Sequence, residues 1–582
     1  MMRRTVLAVS LLACAVLCAC SRSAGSNETS AIDVSHPVKG DWAVVRLESD
    51  PDNLNPLIST NAVAHYVMWG VNNSQVYELL MAYNNKDFGL TEPLLIEAPP
   101  SISDDRLTYT IKIRDGVKWH DGVPFTPDDV LFTFKAAACP LDDTGPVRSY
   151  LSEIADIQVD GRSMRFQMKK PNVYNVENVA NTLAIIPKHV FDADGLLDGF
   201  SYKDIIGPKG KADPKIKKFA EGFNTHPANR APIGTGPYKF EKWDSGKEIV
   251  LTRNDDYWGK KPYLDKIVYK VINDYTAALT ALKAGEIDLQ PRLLPIQYRD
   301  QTSGQAFDQQ FAKGTYSIPS ASWIIWNNDR PFFKDKRVRQ AMTMLIDRQK
   351  IIDKIRLGLG TIAISPISPQ APNFDPNLKA LPYDPKRAGE LLDEAGWIDH
   401  DGDGIRDKDG VKFKFEFLGS TGSPTFPQLS PVLEEAFRKA GIEMTERTIE
   451  FALMSKALKE HRFDSSALTS SSDLDQEQTQ IFHSSSAAGG SNFMNFKNAD
   501  SDRLLEQINL EFDPQKRKAL YWKWQELMAD EQPVAFLYYW LEPAAYSKRF
   551  QNVQWLPLRP GYDLNSWWVP AALQKYKSTT AP

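Results

Sequence analysis

Apolar residues recur along the chain with two different periods. From Leu107 to Ile113 (LTYTIKI) apolar and polar side chains alternate, the pattern of a strand with one buried face. A helix start follows at Thr126-Pro127-Asp128-Asp129: a capping threonine, a first-turn proline, and two acids at the positive end of the helix dipole. Val130, Leu131, Phe134 and Ala138 then fall on one helical face. Asp384-Pro385 opens a second such helix, with Ala388, Leu391, Leu392 and Ala395 as its apolar stripe and Gly396 as its stop. Asp335 caps a helix carrying Val338, Met342 and Leu345, and Asp347 restarts it through Ile351, Ile352 and Ile355. Val411, Phe413, Phe415 and Phe417 alternate with Lys412, Lys414 and Glu416 as a half-buried strand. Strand-like and helix-like runs alternate throughout, which predicts an α/β architecture, and no fixed-period repeat is present.

Composition narrows the class. A chain of 582 residues exceeds what one hydrophobic core holds, so several units are expected. A net charge of −5 offers no basic field for nucleic acid.

The N-terminus carries an address. Arg3 and Arg4 precede a short apolar run from Val6 to Ala19, a secretory pattern too short to span a bilayer comfortably. The run ends in Leu17-Cys18-Ala19-Cys20, which resembles a bacterial lipobox and implies cleavage before Cys20 and lipidation of its thiol. Leu11-Leu12-Ala13-Cys14 fits the same pattern but would leave an apolar run only about half as long. With Cys14 and Cys18 removed and Cys20 acylated, Cys139 alone remains, so neither an intrachain disulfide nor a cysteine zinc site is available. Residues 1–19 therefore read as a signal peptide and 20–39 as a lipidated flexible tether. The expected location is the cell envelope: an exported lipoprotein, membrane-anchored and facing the periplasm.

Candidate chemistry is sparse. No phosphate-binding GxxxxGK[ST], HExxH or GxSxG occurs, and the eight histidines include no i,i+4 pair. Trp119, His120 and Asp121 look like a reactive cluster, yet they sit between two Asp-Gly turns and beside a helix cap, which reads as scaffold. Asp399, Asp401 and Asp403 with Gly404, Ile405 and Asp407 follow the spacing of a calcium loop. Gly410 stands where the bidentate glutamate belongs, so the alternatives are a weak structural calcium site and an Asp/Gly-rich turn. No cofactor is required.

Four blocks carry a family resemblance: LTYTIKIRDGVKWHDGVPFTPDDVLFTFKAA (107–137), GTGPYKFEKWDSGKEIVLTRNDDYWGKKPYLDKIVYKVI (234–272), NNDRPFFKDKRVRQAMTMLIDRQKII (327–352) and YDPKRAGELLDEAGWIDHDGDGIRDKDG (383–410). Together they resemble the bacterial extracellular solute-binding proteins of family 5, the oligopeptide- and dipeptide-binding lipoproteins of peptide ABC transporters. The resemblance implies a two-lobed periplasmic-binding-protein (Venus flytrap) fold of the large class, with an extra third domain and a two-strand hinge. It places lobe I at 40–292 with the extra domain at about 76–181, lobe II at 293–529, and a return to lobe I at 530–582. It implies no enzymatic activity, a monomer, a small peptide as ligand, and permease subunits of an ABC transporter as partners.

The same resemblance locates binding residues. A peptide's ammonium needs a carboxylate, and Asp473 in FDSSALTSSSDLDQEQTQIF falls where the family's ammonium-binding aspartate lies. Asp475 takes that role if the register shifts by two, and the alternative for Asp473 is a cap of the helix containing Gln476–Phe482 or a place in a solvated loop. Serines, Ser472 among them, replace the aromatic residues common there, which leaves an oligosaccharide or other solute, or a sensor role without transport, as alternatives. Added-strand pairing of a peptide would use Thr60, Asn61 and Ala62 in lobe I and the strand bearing Trp323 in lobe II. Trp323 and Trp326 fall on opposite faces of that strand, with Trp323 toward the cleft.

Overall fold

The computed structural model describes residues 33–576 apart from 60, 71–73, 85–89, 422, 424, 472–476, 489 and 558. The signal segment and Cys20 therefore lie outside the described residues. No helix among the described residues is long and apolar enough to cross a membrane.

Two large mixed sheets form the two lobes. Seven strands make the first, in the order Phe311–Tyr316, Glu542–Ser547, Leu289–Gln290, Trp42–Leu47, Lys266–Val271, Glu248–Arg253 and Tyr238–Asp244. Trp42–Leu47 lies inside this sheet, parallel to both neighbours, and five of its six side chains are buried, as a strand covered on both faces requires. Six strands make the second, in the order Gly360–Ile362, Val534–Trp540, Ser320–Trp326, Ser465–Ser471, Lys414–Ser420 and Glu443–Ile449. A four-stranded antiparallel sheet, Ser101–Ile102, Thr108–Lys112, Ser163–Met168 and Ile154–Asp160, builds the extra domain. Its core is continuous with lobe I: Ile111, Phe134 and Phe166 belong to one apolar cluster with Val45 and Leu251. The sheet of lobe II separates two cores, Ile324 and Trp326 facing one and Ala321, Trp323 and Ile325 the other.

The chain crosses between lobes twice. Phe311–Tyr316 belongs to the first sheet and Ser320–Trp326 to the second, so 317–319 is one crossing; Val534–Trp540 and Glu542–Ser547 make Leu541 the other. Both crossings lie C-terminal to the boundaries expected at 292/293 and 529/530, because on each side a full sheet strand runs up to the hinge. Pro319 and Pro543 flank the crossings and fix their own φ angles, which limits how the connectors flex.

The local elements follow the sequence pattern closely. Helix Pro127–Ala138 carries a capping box in which Asp129 accepts from the Thr126 backbone N–H (2.9 Å), and the same carboxylate accepts from Trp119 Nε1 (3.3 Å) and the Lys188 N–H (3.0 Å). Gly234 N–H donates to His120 Nδ1 (3.1 Å), leaving Nε2–H to donate to the Gly236 carbonyl (3.0 Å). Both glycines are needed: a Cβ at Gly234 would stand 1.8 Å from the Val76 carbonyl oxygen, and one at Gly236 2.4 Å from that of Gln75. The segment 115–134 is scaffold, joining the extra domain to lobe I. Asp384, Asp335 and Asp347 cap Pro385–Glu394, Lys336–Met344 and Arg348–Lys354 as the sequence predicts. The strand expected from Val411 breaks in two: Val411–Lys412 pairs with Asp407–Lys408 in a small hairpin and Val411 is exposed, while Lys414–Ser420 enters the large sheet.

Lobe I is closed by a buried ion cluster. Arg549, from the returning segment, binds Asp288 through Nε (3.0 Å) and its terminal nitrogen (2.7 Å), and also pairs with Asp41. Asp41 in turn accepts from the backbone N–H groups of Lys575 (2.9 Å) and Tyr576 (3.0 Å). Asp41 and Asp288 are 0% and 4% exposed, so Arg549→Ala strands two carboxylates without their cation. The expected cost is ~3–5 kcal/mol, read as a lowered urea midpoint, whereas Arg387→Ala, in an exposed helix-surface pair, leaves the midpoint unchanged.

Burial pushes the His120 imidazole down to about 4. The unfolded chain then binds the extra proton between pH 6.5 and 4, so this contribution is complete above pH 6.5 and is lost as pH falls toward 4, by at most ~1.4 kcal/mol per pH unit. Urea midpoints measured across that window should fall more steeply for the wild type than for His120→Gln; parallel curves would contradict the assignment.

Candidate functional site

A cavity of about 1160 Å³ opens between the lobes, larger than most small-molecule pockets. Three walls enclose it. Helix Ala62–Met68 of lobe I contributes Ala62, His65 and Tyr66, followed by Trp69; the extra domain contributes Tyr150, Tyr174, Glu177 and Asn178. Lobe II contributes Trp323, the end of strand Ser465–Ser471 through Leu468, Thr469 and Ser470, and then Glu477, His483 and Asn509.

Sheet topology explains the lobe II wall. Lys414–Ser420, Glu443–Ile449 and Ser465–Ser471 run parallel, so their carboxyl ends and the loops after them share one edge. Ligands of α/β sheets bind beyond the carboxyl ends of strands, and here that edge borders the cavity. Asp473, Ser472 and Asp475 lie outside the described residues. The residues bracketing them, Ser470 and Glu477, both line the cavity.

Trp323 lines the cavity from within the apolar cluster it shares with Phe482 and Phe536, whereas Trp326 is wholly buried against Phe333 on the other face, as the alternation predicted. Neither Trp323 nor Trp69 finds a hydrogen-bond partner for its indole N–H. Asn61 and Ala62 do not form the strand edge expected of them. The Asn61 side chain accepts from the Val63 N–H (2.8 Å) and caps helix Ala62–Met68, because an Asn before a run without glycine or proline satisfies free helix amides better than an open edge would. Ala62 still faces the cavity; Thr60 lies outside the described residues. Tyr562, Trp567 and Trp568 are buried in lobe I.

Charge is distributed unevenly around this space. Glu153 pairs with Lys170 (3.4 Å), and Glu506 stands 3.5 Å from His483 Nε2. Glu477 accepts from the Asn509 side chain (2.9 Å). His65 stacks on Trp69 with ring centroids 4.2 Å apart, and burial lowers its pKa, which favours the neutral ring. Glu477, His483, Asn509 and the helix Asn175–Ala180 escaped the sequence reading. Only their spacing after Asp473 pointed to Glu477, and nothing local marked the others.

The acidic loop lies apart from the cavity. Asp399, Asp401 and Asp403 offer oxygens within 4.8 Å of one another. An internal cation already serves them: Lys412 Nζ lies 2.6 Å from Asp401, 2.9 Å from Asp403, 3.5 Å from Asp407 and 3.4 Å from the Ile405 carbonyl oxygen. Asp399 instead accepts from the Gly402 (2.8 Å) and Gly404 (2.9 Å) N–H groups, and Asp407 also holds His400 (2.9 Å).

Comparison with known proteins places the chain. Residues 91–492 match the family model of the bacterial extracellular solute-binding proteins, family 5 (its middle region). The oligopeptide-binding protein AppA of Bacillus subtilis is 30% identical over 571 residues, spanning 97% of this chain and 98% of that protein. The structure of Bacillus subtilis AppA in complex with a nonapeptide aligns with a TM-score of 0.72 at 29% identity, over 92% of this chain and 100% of that one. NikA from Brucella suis, solved with Fe(III)-EDTA, aligns with a TM-score of 0.74 at 23% identity over 91% and 99% of the two chains, a likeness of fold alone. The resemblance carried by the four sequence blocks and the two-lobed α/β fold are both borne out. Proteins of this family are binding proteins of transport systems and not enzymes. The chain belongs to the bacterial extracellular solute-binding proteins of family 5.

Proposed function

We propose that this chain is a lipid-anchored receptor that captures peptides between its lobes and hands them to the permease of an ABC transporter. Cys20 carries the lipid, the receptor works as a monomer anchored to a membrane and facing the periplasm, and ATP hydrolysis belongs to partner subunits. The observation that supports the reading is the cavity between the lobes, whose wall includes Ser470 and Glu477, the described residues on either side of segment 472–476 in the sequence. Asp473 in that segment neutralises the peptide's ammonium. Ligand contacts both lobes only when they close, so binding energy shifts the population toward the closed form.

Native mass spectrometry of the purified full chain is expected to find bound peptides, and added peptides should raise its melting temperature. Carried-over sugars with no response to peptides would overturn the peptide reading. Asp473→Ala should weaken peptide binding by ~10²–10³, the equivalent of ~3–5 kcal/mol for stranding a charge. The same change at Asp475 should cost far less; the reverse order would move the ammonium site by two residues.

The acidic loop needs no calcium on this reading, because the Lys412 ammonium already lies among Asp401, Asp403 and Asp407 and backbone N–H groups serve Asp399. Millimolar Ca²⁺ is expected to leave the melting temperature of the wild type unchanged, and Lys412→Gln to lower it. A Ca²⁺-dependent rise in the wild type would instead assign Asp399, Asp401, Asp403, Ile405 and Asp407 to a structural metal site.

A further inference from the structure

On helix Pro127–Ala138, Asp128, Leu131, Phe132 and Lys135 fall at i, i+3, i+4 and i+7 and so share one side of the helix. Together with Lys188, Leu197 and Asp198, from the segment that packs across that side, they line a second cavity of about 180 Å³. None of these residues lines the cavity between the lobes. The volume falls below the ~300–1,000 Å³ of drug-sized sites, so it holds one small unit and not a chain.

Leu131, Phe132 and Leu197 give this cavity its apolar lining, and its four charges are not all spoken for. Lys188 Nζ lies 3.0 Å from Asp198, so that pair serves itself. The nearby Asp192 accepts from the backbone N–H groups of Leu196 (2.7 Å) and Leu197 (3.1 Å), closing the turn that delivers Leu197. Lys135 is therefore left without a carboxylate. It is 8% exposed, and its one acceptor is the Leu197 carbonyl oxygen at 3.4 Å, although an ammonium carries three N–H donors. Burial lowers its pKa, as it does for a cation that gives up water for few partners. At the other end of the stripe Asp128 is exposed and has no hydrogen bond or ion pair among the described residues. Seven residues span ~10 Å of helix, and the two charges act on each other across the cavity without pairing.

We propose that this cavity is a second binding site, for a single α-amino acid with a small apolar side chain, whose carboxylate takes Lys135 and whose ammonium takes Asp128. A lone anion would satisfy the lysine and be repelled by the aspartate, and a lone cation the reverse. A molecule that carries both charges beside a short apolar branch answers the whole lining. The site stands apart from the cavity between the lobes, so the inference does not depend on the peptide reading.

Hydrogen exchange read by mass spectrometry on the full chain tests this with three probes: L-valine, isovalerate, which lacks the amine, and isobutylamine, which lacks the carboxylate. In the wild type, L-valine at about ten times its Kd should slow exchange of the fragment holding Leu196 and Leu197 by about tenfold, where exchange follows release of the ligand. Isovalerate at the same concentration should slow it less, and isobutylamine not at all. Lys135→Met should abolish the effect of L-valine. Asp128→Asn, at an exposed position, should reduce L-valine to the level of isovalerate, and it serves if Lys135→Met folds poorly. L-valine that leaves this fragment unchanged, or that protects only fragments lining the cavity between the lobes, would overturn the site. Undiminished protection in Lys135→Met would overturn it as well. Isovalerate as effective as L-valine in the wild type would overturn the assignment to an amino acid.

Discussion

Everything in this molecule depends on a discontinuous lobe being closed by charge. The first sheet is assembled from the N-terminal part of the chain and from a strand, Glu542–Ser547, that arrives only after the whole of lobe II has been made. Backbone pairing brings that strand back, but the buried cluster of Arg549 with Asp288 and Asp41 fixes its register against the start of the chain. Such a cluster is not a cheap source of stability, since three charges must leave water. Its geometry is specific, since one guanidinium serves both carboxylates at once in this placement of the returning segment. The guanidinium also donates to the Trp42 carbonyl (2.7 Å), and Asp288 accepts from the Val44 N–H (3.0 Å), so the cluster is stitched into the first strand itself.

From that closure follows the hinge. A lobe entered and left by the same chain must be joined to its partner by two connectors, and two short connectors permit opening and closing while resisting shear or rotation. Ionic contacts brace both ends of the crossing at Leu541. Arg292 of lobe I lies 3.5 Å from Glu542, and Arg356 of lobe II donates to the Leu541 carbonyl (3.3 Å) while lying 4.1 Å from the Trp540 ring centroid. Three residues, 317–319, make one crossing and Leu541 the other, which leaves few peptide units for the motion. Cavity and hinge are thus products of one topological decision.

What could be read from the sequence was local, and what could not was the outcome of distant packing. Caps at Thr126, Asp335, Asp347 and Asp384 were legible because an aspartate or threonine before an apolar period of 3.6 has one good use. The split of Trp323 from Trp326 was legible because a strand has period two. Asn61 was misread, although its chemistry is local too, because the expected strand edge was carried over from a family pattern and not taken from the Asn itself. Val411 was misread because alternation continues through a hairpin and into the large sheet without a break in pattern, and only pairing partners separate the two. Asn509 and Glu477 could not have been joined by any sequence argument, since their hydrogen bond links a helix end to a loop and depends on how that helix packs.

The electrostatics of the cavity constrain how it can recognise a charged end. Three of its described carboxylates already have partners: Glu153 holds Lys170, Glu477 accepts from Asn509, and Glu506 stands against His483. A ligand ammonium that turned to Glu153 would have to displace its lysine and would recover only the difference between two similar interactions, whereas Glu477, which accepts from a neutral amide, keeps acceptor capacity. Under the proposed function, charge recognition falls to Asp473, while the partnered acids of the wall set its outline. That division lets a wide cavity accept varied side chains while demanding one positive end.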